Sequence, residues 1–191
     1  MADIRIGVVP LGHVPEIASK SIAAHIQGYT GLNTDTHPAL DPPEYALDKH
    51  RLQYNAGTIL MRLEQEPFPD YDKVIAVLDL DIFVPILTHV FGEAKQGGKF
   101  ALVSLYRLRK NPEGSTSPLA LSLERVAKVA LHELGHLFGL VHCMDDKCLM
   151  HFSGKLQDLD LSPLYFCRYC SIYFRDFLKR PFTPSQSRER F

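Results

Sequence analysis

At 191 residues the chain is expected to form one domain, or one domain with a small appended lobe, large enough to bury a core without staples. Its net charge of −1, with Lys and Arg scattered rather than gathered into a stripe, excludes nucleic acid and anionic membrane surfaces as main partners. No stretch approaches the roughly 18 apolar residues of a membrane span, and residues 1–10, which include Asp3 and Arg5, do not read as a secretory signal.

Taken in order, residues 4–9 (IRIGVV) are a short β-branched run closed by Pro10, a buried strand. Residues 15–27 place Ile17, Ala18, Ile22 and Ile26 at helical spacing and predict a helix ending at Gly28 or Gly31. Residues 30–48, with Pro38, Pro42 and Pro43, read as a loop with one irregular edge strand. His37 and His50 have no partner at ligand spacing and read as surface. A second helix is expected over residues 48–66, with an apolar stripe of Leu52, Ala56, Ile59, Leu60 and Leu63, stopped by Pro67 and Pro69.

Residues 73–80 (KVIAVLDL) are nearly all apolar, as in a strand covered on both faces, and Asp79 and Asp81 at its end take a turn role. Residues 91–95 and 100–106 flank Gln96-Gly97-Gly98-Lys99, the signature of an antiparallel hairpin. After the turn-rich residues 111–118, a helix is predicted over 118–138, with Ser117 as N-cap and Pro118 at its first position. A last helix is expected over 164–178. Residues 181–191 (PFTPSQSRERF) are polar and read as a loosely held tail.

The chemistry lies at the end of the 118–138 helix, in the run from His132 through Glu133, His136 and Gly139 to His142. Histidines four apart on a helix are separated by about 40° around the axis and roughly 6 Å along it, so they can share one metal ion. Gly139 can stop the helix with a positive φ and let His142 return as a third ligand. Three imidazoles leave the fourth tetrahedral position of zinc for water, the arrangement of a catalytic site. Glu133 stands beside the first ligand, in reach of that water.

All four cysteines fall between residues 143 and 170. Cys143 and Cys148 form one close pair and Cys167 and Cys170 a second, which matches a four-thiolate structural zinc site. A disulfide pair and unligated buried thiols are the alternatives. Clustered cysteines of this kind suit a reducing compartment, here the cytoplasm. Between the pairs lies Met150, by spacing either a turn residue beneath the zinc ligands or an ordinary core methionine.

The His132–His142 pattern resembles that of the metzincins. With Met150, the four cysteines, residues 81–94 (DIFVPILTHVFGEA) and the Gly-Gly hairpin, it is similar to one subfamily, the archaemetzincins. The resemblance implies an α/β zincin fold: a twisted, mixed, mostly parallel sheet with an antiparallel edge strand at about residues 91–95, an active-site helix, and a small zinc-stabilised C-terminal lobe. Residues 1–139 would form the upper subdomain and residues 140–191 the lower. Met150 would be the Met-turn residue. The implied activity is that of a zinc peptidase carrying two zinc ions, one catalytic and one structural, and acting on peptide or protein substrates. Glu133 would be the general base. A zinc-containing peptide-binding protein with little turnover is the alternative, and such a protein has no need of Glu133.

Overall fold

The computed structural model describes residues 4–179. The expectation for the tail lies outside these residues. In chain order the main elements are β1 (Arg5–Pro10), α1 (Glu16–Thr30), β2 (Asn33–Thr36), β3 (Leu47–Asp48), β4 (Gln53–Asn55), α2 (Ala56–Leu63), β5 (Lys73–Leu78), β6 (Ile82–Phe83), β7 (Gly92–Ala94), β8 (Phe100–Ser104), α3 (Leu119–Leu137), α4 (Leu156–Leu161) and α5 (Arg168–Lys179). A five-stranded sheet runs β2-β1-β5-β8-β7. Its first three junctions are parallel, and β7 pairs antiparallel with β8 at the edge. Strands β3, β4 and β6 make a smaller sheet beside it.

The apolar run of β5 is explained by what covers it. Ile75 and Val77 join Ile22 and Ile26 of α1 and Val126, Ala130 and Leu134 of α3 in one core cluster. Val74, Ala76 and Leu78 join Ile59, Leu60 and Leu63 of α2 in the other. Successive side chains on a strand face opposite ways, so a strand buried on both sides loses its polar alternation. The larger cluster continues into the C-terminal segment through Leu140, Leu149, Met150, Leu159 and Phe174. Among the described residues no helix is long and apolar enough to cross a membrane.

Arg125 of α3, 1% exposed, anchors this segment. It donates to both carboxylate oxygens of Asp160 at 2.6 Å, and to Leu108 O, Lys110 O and the Ser117 hydroxyl. A buried guanidinium is tolerable only when its donors are matched in this way.

Several boundaries differ from the sequence reading. The helix expected from residue 48 starts at Ala56. Asp48 accepts from the backbone N–H groups of His50 and Arg51, forming a turn, and Leu52 sits at φ 54°, a left-handed conformation that breaks a helix. Leu52 is therefore exposed rather than part of an apolar stripe. The true cap is Asn55, whose side chain accepts from Thr58 N–H at 3.0 Å. Pro118, not Ser117, occupies the N-cap position of α3, and no side chain caps the helix. The Ser117 hydroxyl is drawn away, donating to Asn111 and accepting from Arg125. The last helix begins four residues later than expected, at Arg168, and the short α4 precedes it.

Candidate active site and thiolate cluster

Three segments build the site. The last turns of α3 carry His132, Glu133 and His136. The helix then stops in a Schellman motif: Gly139, at φ 82°, donates to His136 O, and Leu140 donates to Gly135 O. A side chain at residue 139 would also collide with the Phe177 ring. The reversal brings His142 back to the helix. The β7–β8 hairpin fastens the same helix end, because Gly97 N–H donates to His136 O and the Gln96 amide to Gly139 O.

The three imidazoles converge. His136 Nε2 stands 3.1 Å from His132 Nε2 and 3.3 Å from His142 Nε2. The other ring nitrogens are engaged: His132 Nδ1 with Leu149 O at 2.7 Å and His136 Nδ1 with Leu140 O at 2.8 Å. A carbonyl can only accept, so Nδ1 carries the proton in both rings and Nε2 presents a lone pair. Burial lowers the pKa of all three, that of His132 to about 3 with His136 adding to the effect. Neutral rings with lone pairs at this distance repel one another unless a cation lies among them. The separations are close to the edge of a tetrahedron of nitrogens around zinc, about 3.3 Å for bonds of 2.0–2.1 Å. The donor set fits the ion.

Glu133 is 7% exposed, and burial first, then the neighbouring Glu93, pushes its carboxyl well above the usual range. It packs against the backbone of Gly92 in β7. A Cβ at residue 92 would stand 2.6 Å from Glu133 Oε1, so the edge strand can approach the carboxyl only because that residue is glycine. Met150 is fully buried beneath the helix. Its sulfur would be 2.5 Å from a Cβ at Gly135, the glycine between the two helical histidines.

The four cysteines also meet, with their sulfurs within 4.8 Å of one another. Cys143 Sγ lies 3.9 Å from Cys167 Sγ, and Cys167 N–H donates to Cys148 Sγ at 3.2 Å. None is in a disulfide. Sulfurs at the corners of a zinc tetrahedron would be about 3.8 Å apart for bonds of 2.3 Å. Burial pushes the Cys148 and Cys170 thiols up, and a divalent cation supplies the charge that would let such a cluster ionise.

A cavity of about 800 Å³ opens over the imidazoles, between β7 with the loop before it and residues 141–162. The predicted histidines and cysteines are thus gathered into two clusters, with Glu133 against Gly92 and Met150 against Gly135. Gly92 and Glu93 gained no role from the sequence, since their significance comes from elements distant in the chain.

An antiparallel sheet edge above a helix bearing His-Glu-x-x-His, with a third imidazole returning to it, defines the metzincin class of zinc metallopeptidases. The chain belongs to the archaemetzincins: the model for Peptidase family M54 matches residues 35–176. It is 37% identical over 172 residues to the archaemetzincin of Methanopyrus kandleri, spanning 88% of this chain and 94% of that one. It is 35% identical over 167 residues to that of Methanocaldococcus jannaschii, spanning 87% and 90%. The crystal structure of the M. kandleri archaemetzincin superposes with a TM-score of 0.82 at 35% identity, covering 93% of this chain and 96% of that one. That of Archaeoglobus fulgidus gives 0.77 at 33% identity, covering 89% and 99%.

Proposed function

We propose that this zinc metallopeptidase hydrolyses peptide bonds with a catalytic zinc held by His132, His136 and His142 and with Glu133 as general base. A structural zinc would be held by Cys143, Cys148, Cys167 and Cys170. The upper subdomain would be residues 1–139 and the lower residues 140–191, with Met150 as the Met-turn residue. The convergence of three Nε2 atoms beside a buried carboxyl carries the reading. When bound, zinc supplies Lewis acidity, bringing the pKa of water to about 7 and polarising a carbonyl.

The protein residues do the rest. The Leu149 and Leu140 carbonyls fix the tautomers of His132 and His136. Glu133 takes a proton from the attacking water at a carboxylate oxygen and returns it to the leaving amine. Strand β7 aligns the substrate. Phe91 O accepts from Ser104 N–H, and in an antiparallel pair alternate residues turn their backbone groups outward. Gly92 and Ala94 therefore present N–H and C=O groups to the cleft, where an extended peptide can add as a strand.

A binding protein without turnover would gain nothing from a buried, destabilised carboxyl at residue 133, which favours the enzyme. Chelation provides the test. The imidazole site, with His142 exposed, should lose its zinc before the thiolate site. Cleavage of a peptide library is expected to stop when one of two zinc ions per chain is removed, and to return when zinc is restored. Full cleavage by metal-free protein would overturn the proposal.

A further inference from the structure

Besides the imidazoles, three charged side chains line the cavity: Lys128, Glu133 and Glu93. Lys128 is already satisfied, pairing with Glu124 at 2.8 Å and donating to Leu159 O and Asp160 O at 3.1 Å. Glu133 is committed to proton transfer in the proposed reaction. Glu93 has neither commitment. Among the described residues no hydrogen bond or ion pair reaches its carboxylate, although it is partly buried, and burial pushes its pKa up. The nearest cation along the strand, Lys95, is taken by Glu64 at 3.1 Å. Arg107 is held by Asp81, and Arg51 donates to Leu87 O and Thr88 O.

Its position is as informative as its lack of a partner. Glu93 stands between Gly92 and Ala94, whose backbone groups face the cleft. It lies opposite Leu102, which belongs to the cluster beneath α2. Directly opposed side chains on paired strands share a face, so Glu93 projects to the α2 side of the edge strand, away from the α3 side where Gly92 meets Glu133. A peptide added along β7 would place alternate side chains on that same side, with Cβ atoms about 4.5–5.5 Å from that of Glu93 for a directly opposed pair. Val84, Ile86, Leu87 and Val90 line the same cavity. A carboxylate in such a setting interacts more strongly with an incoming cation than it would in water.

We propose that Glu93 is a specificity residue that selects peptides carrying a cationic group, either a free α-ammonium or a Lys or Arg side chain, beside the scissile bond. This rests on the peptidase reading for the presence of a scissile bond but not for the selection itself. A charge-assisted hydrogen bond gained by such a half-buried carboxylate corresponds to about a tenfold to hundredfold preference.

The test measures binding of peptide pairs to zinc-loaded wild type and to Glu93→Gln by competition anisotropy. One set of pairs differs only in Lys against norleucine, and the other only in a free against an acetylated N-terminus. Wild type is expected to favour the cationic member of at least one set by about ten- to a hundredfold, and Glu93→Gln to bring that pair to equal affinity. The set that responds distinguishes side chain from α-ammonium. Each protein is its own reference, so an overall loss of affinity cannot imitate the result. A preference that survives in Glu93→Gln, or a wild type that has none or binds neither member, overturns the proposal. Discrimination without cleavage would sink the peptidase reading alone, and cleavage without discrimination would sink only the role of Glu93.

Discussion

Replacing Glu133 with Gln is expected to lower kcat/KM for peptide cleavage about 10²- to 10⁴-fold while leaving the zinc content intact, the range for loss of a general base. Glutamine keeps the volume and shape that pack against Gly92, so the edge strand has no reason to move. It cannot accept and return a proton. The loss should fall on kcat, because the cleft edge that binds the peptide is untouched. Folding should not suffer, since burial already disfavours the charged carboxyl. The thermal midpoint of the metal-free variant should be no lower than that of wild type. Steady-state kinetics with zinc analysis on the same sample checks this. Undiminished cleavage by the zinc-loaded variant would remove Glu133 from the mechanism.

Cys148→Ala should act on a different quantity. Cys148 is fully buried, and its sulfur accepts from Cys167 N–H, so its loss opens the thiolate cluster from within. Binding of structural zinc is itself folding free energy, of order 10 kcal/mol in small domains, comparable with the entire net stability of a domain. The variant is expected to hold one zinc in place of two and to melt about 10 °C or more lower, several kcal/mol for a chain of this size. Cleavage should fall as well, although no cysteine lines the cleft. Cys143 follows His142 directly, its N–H donates to Met150 O, and the neighbouring Leu149 O holds His132. Loosening the cluster therefore loosens two of the three imidazoles. Native mass spectrometry and a thermal melt measure the outcome. A variant that still held two zinc ions and melted with wild type would assign the cysteines no metal. Cys170→Ala should behave alike.

The parts of this molecule that could be read from the sequence are those in which the physics is local. The four-residue spacing of His132 and His136 fixes a shared helix face whatever surrounds it. The paired cysteines point by their separations to one cluster, and their sulfurs do meet within 4.8 Å; the apolar run of β5 needs cover on both faces. The misread stretches are those in which a distant group decides. Residues 48–55 have helical periodicity, but the Asp48 turn and the conformation of Leu52 compete with it. Ser117 has the chemistry of a cap, but buried Arg125 claims its hydroxyl. Glu93 looks like any strand carboxylate until Lys95, Lys128, Arg51 and Arg107 are seen to be paired elsewhere. Gly92 is one glycine among 12 until Glu133 is found against its backbone.

In the proposed site His132, His136 and His142 together hold one zinc beside Glu133. Crystals of the zinc-loaded chain with a peptide mimic, measured on both sides of the zinc absorption edge, test this arrangement. An anomalous peak within about 2.0–2.1 Å of all three Nε2 atoms, and a second among the four sulfurs, is the expected result. A peak bound by His132 and His136 alone, with His142 turned away while the mimic occupies the cleft, would contradict the account.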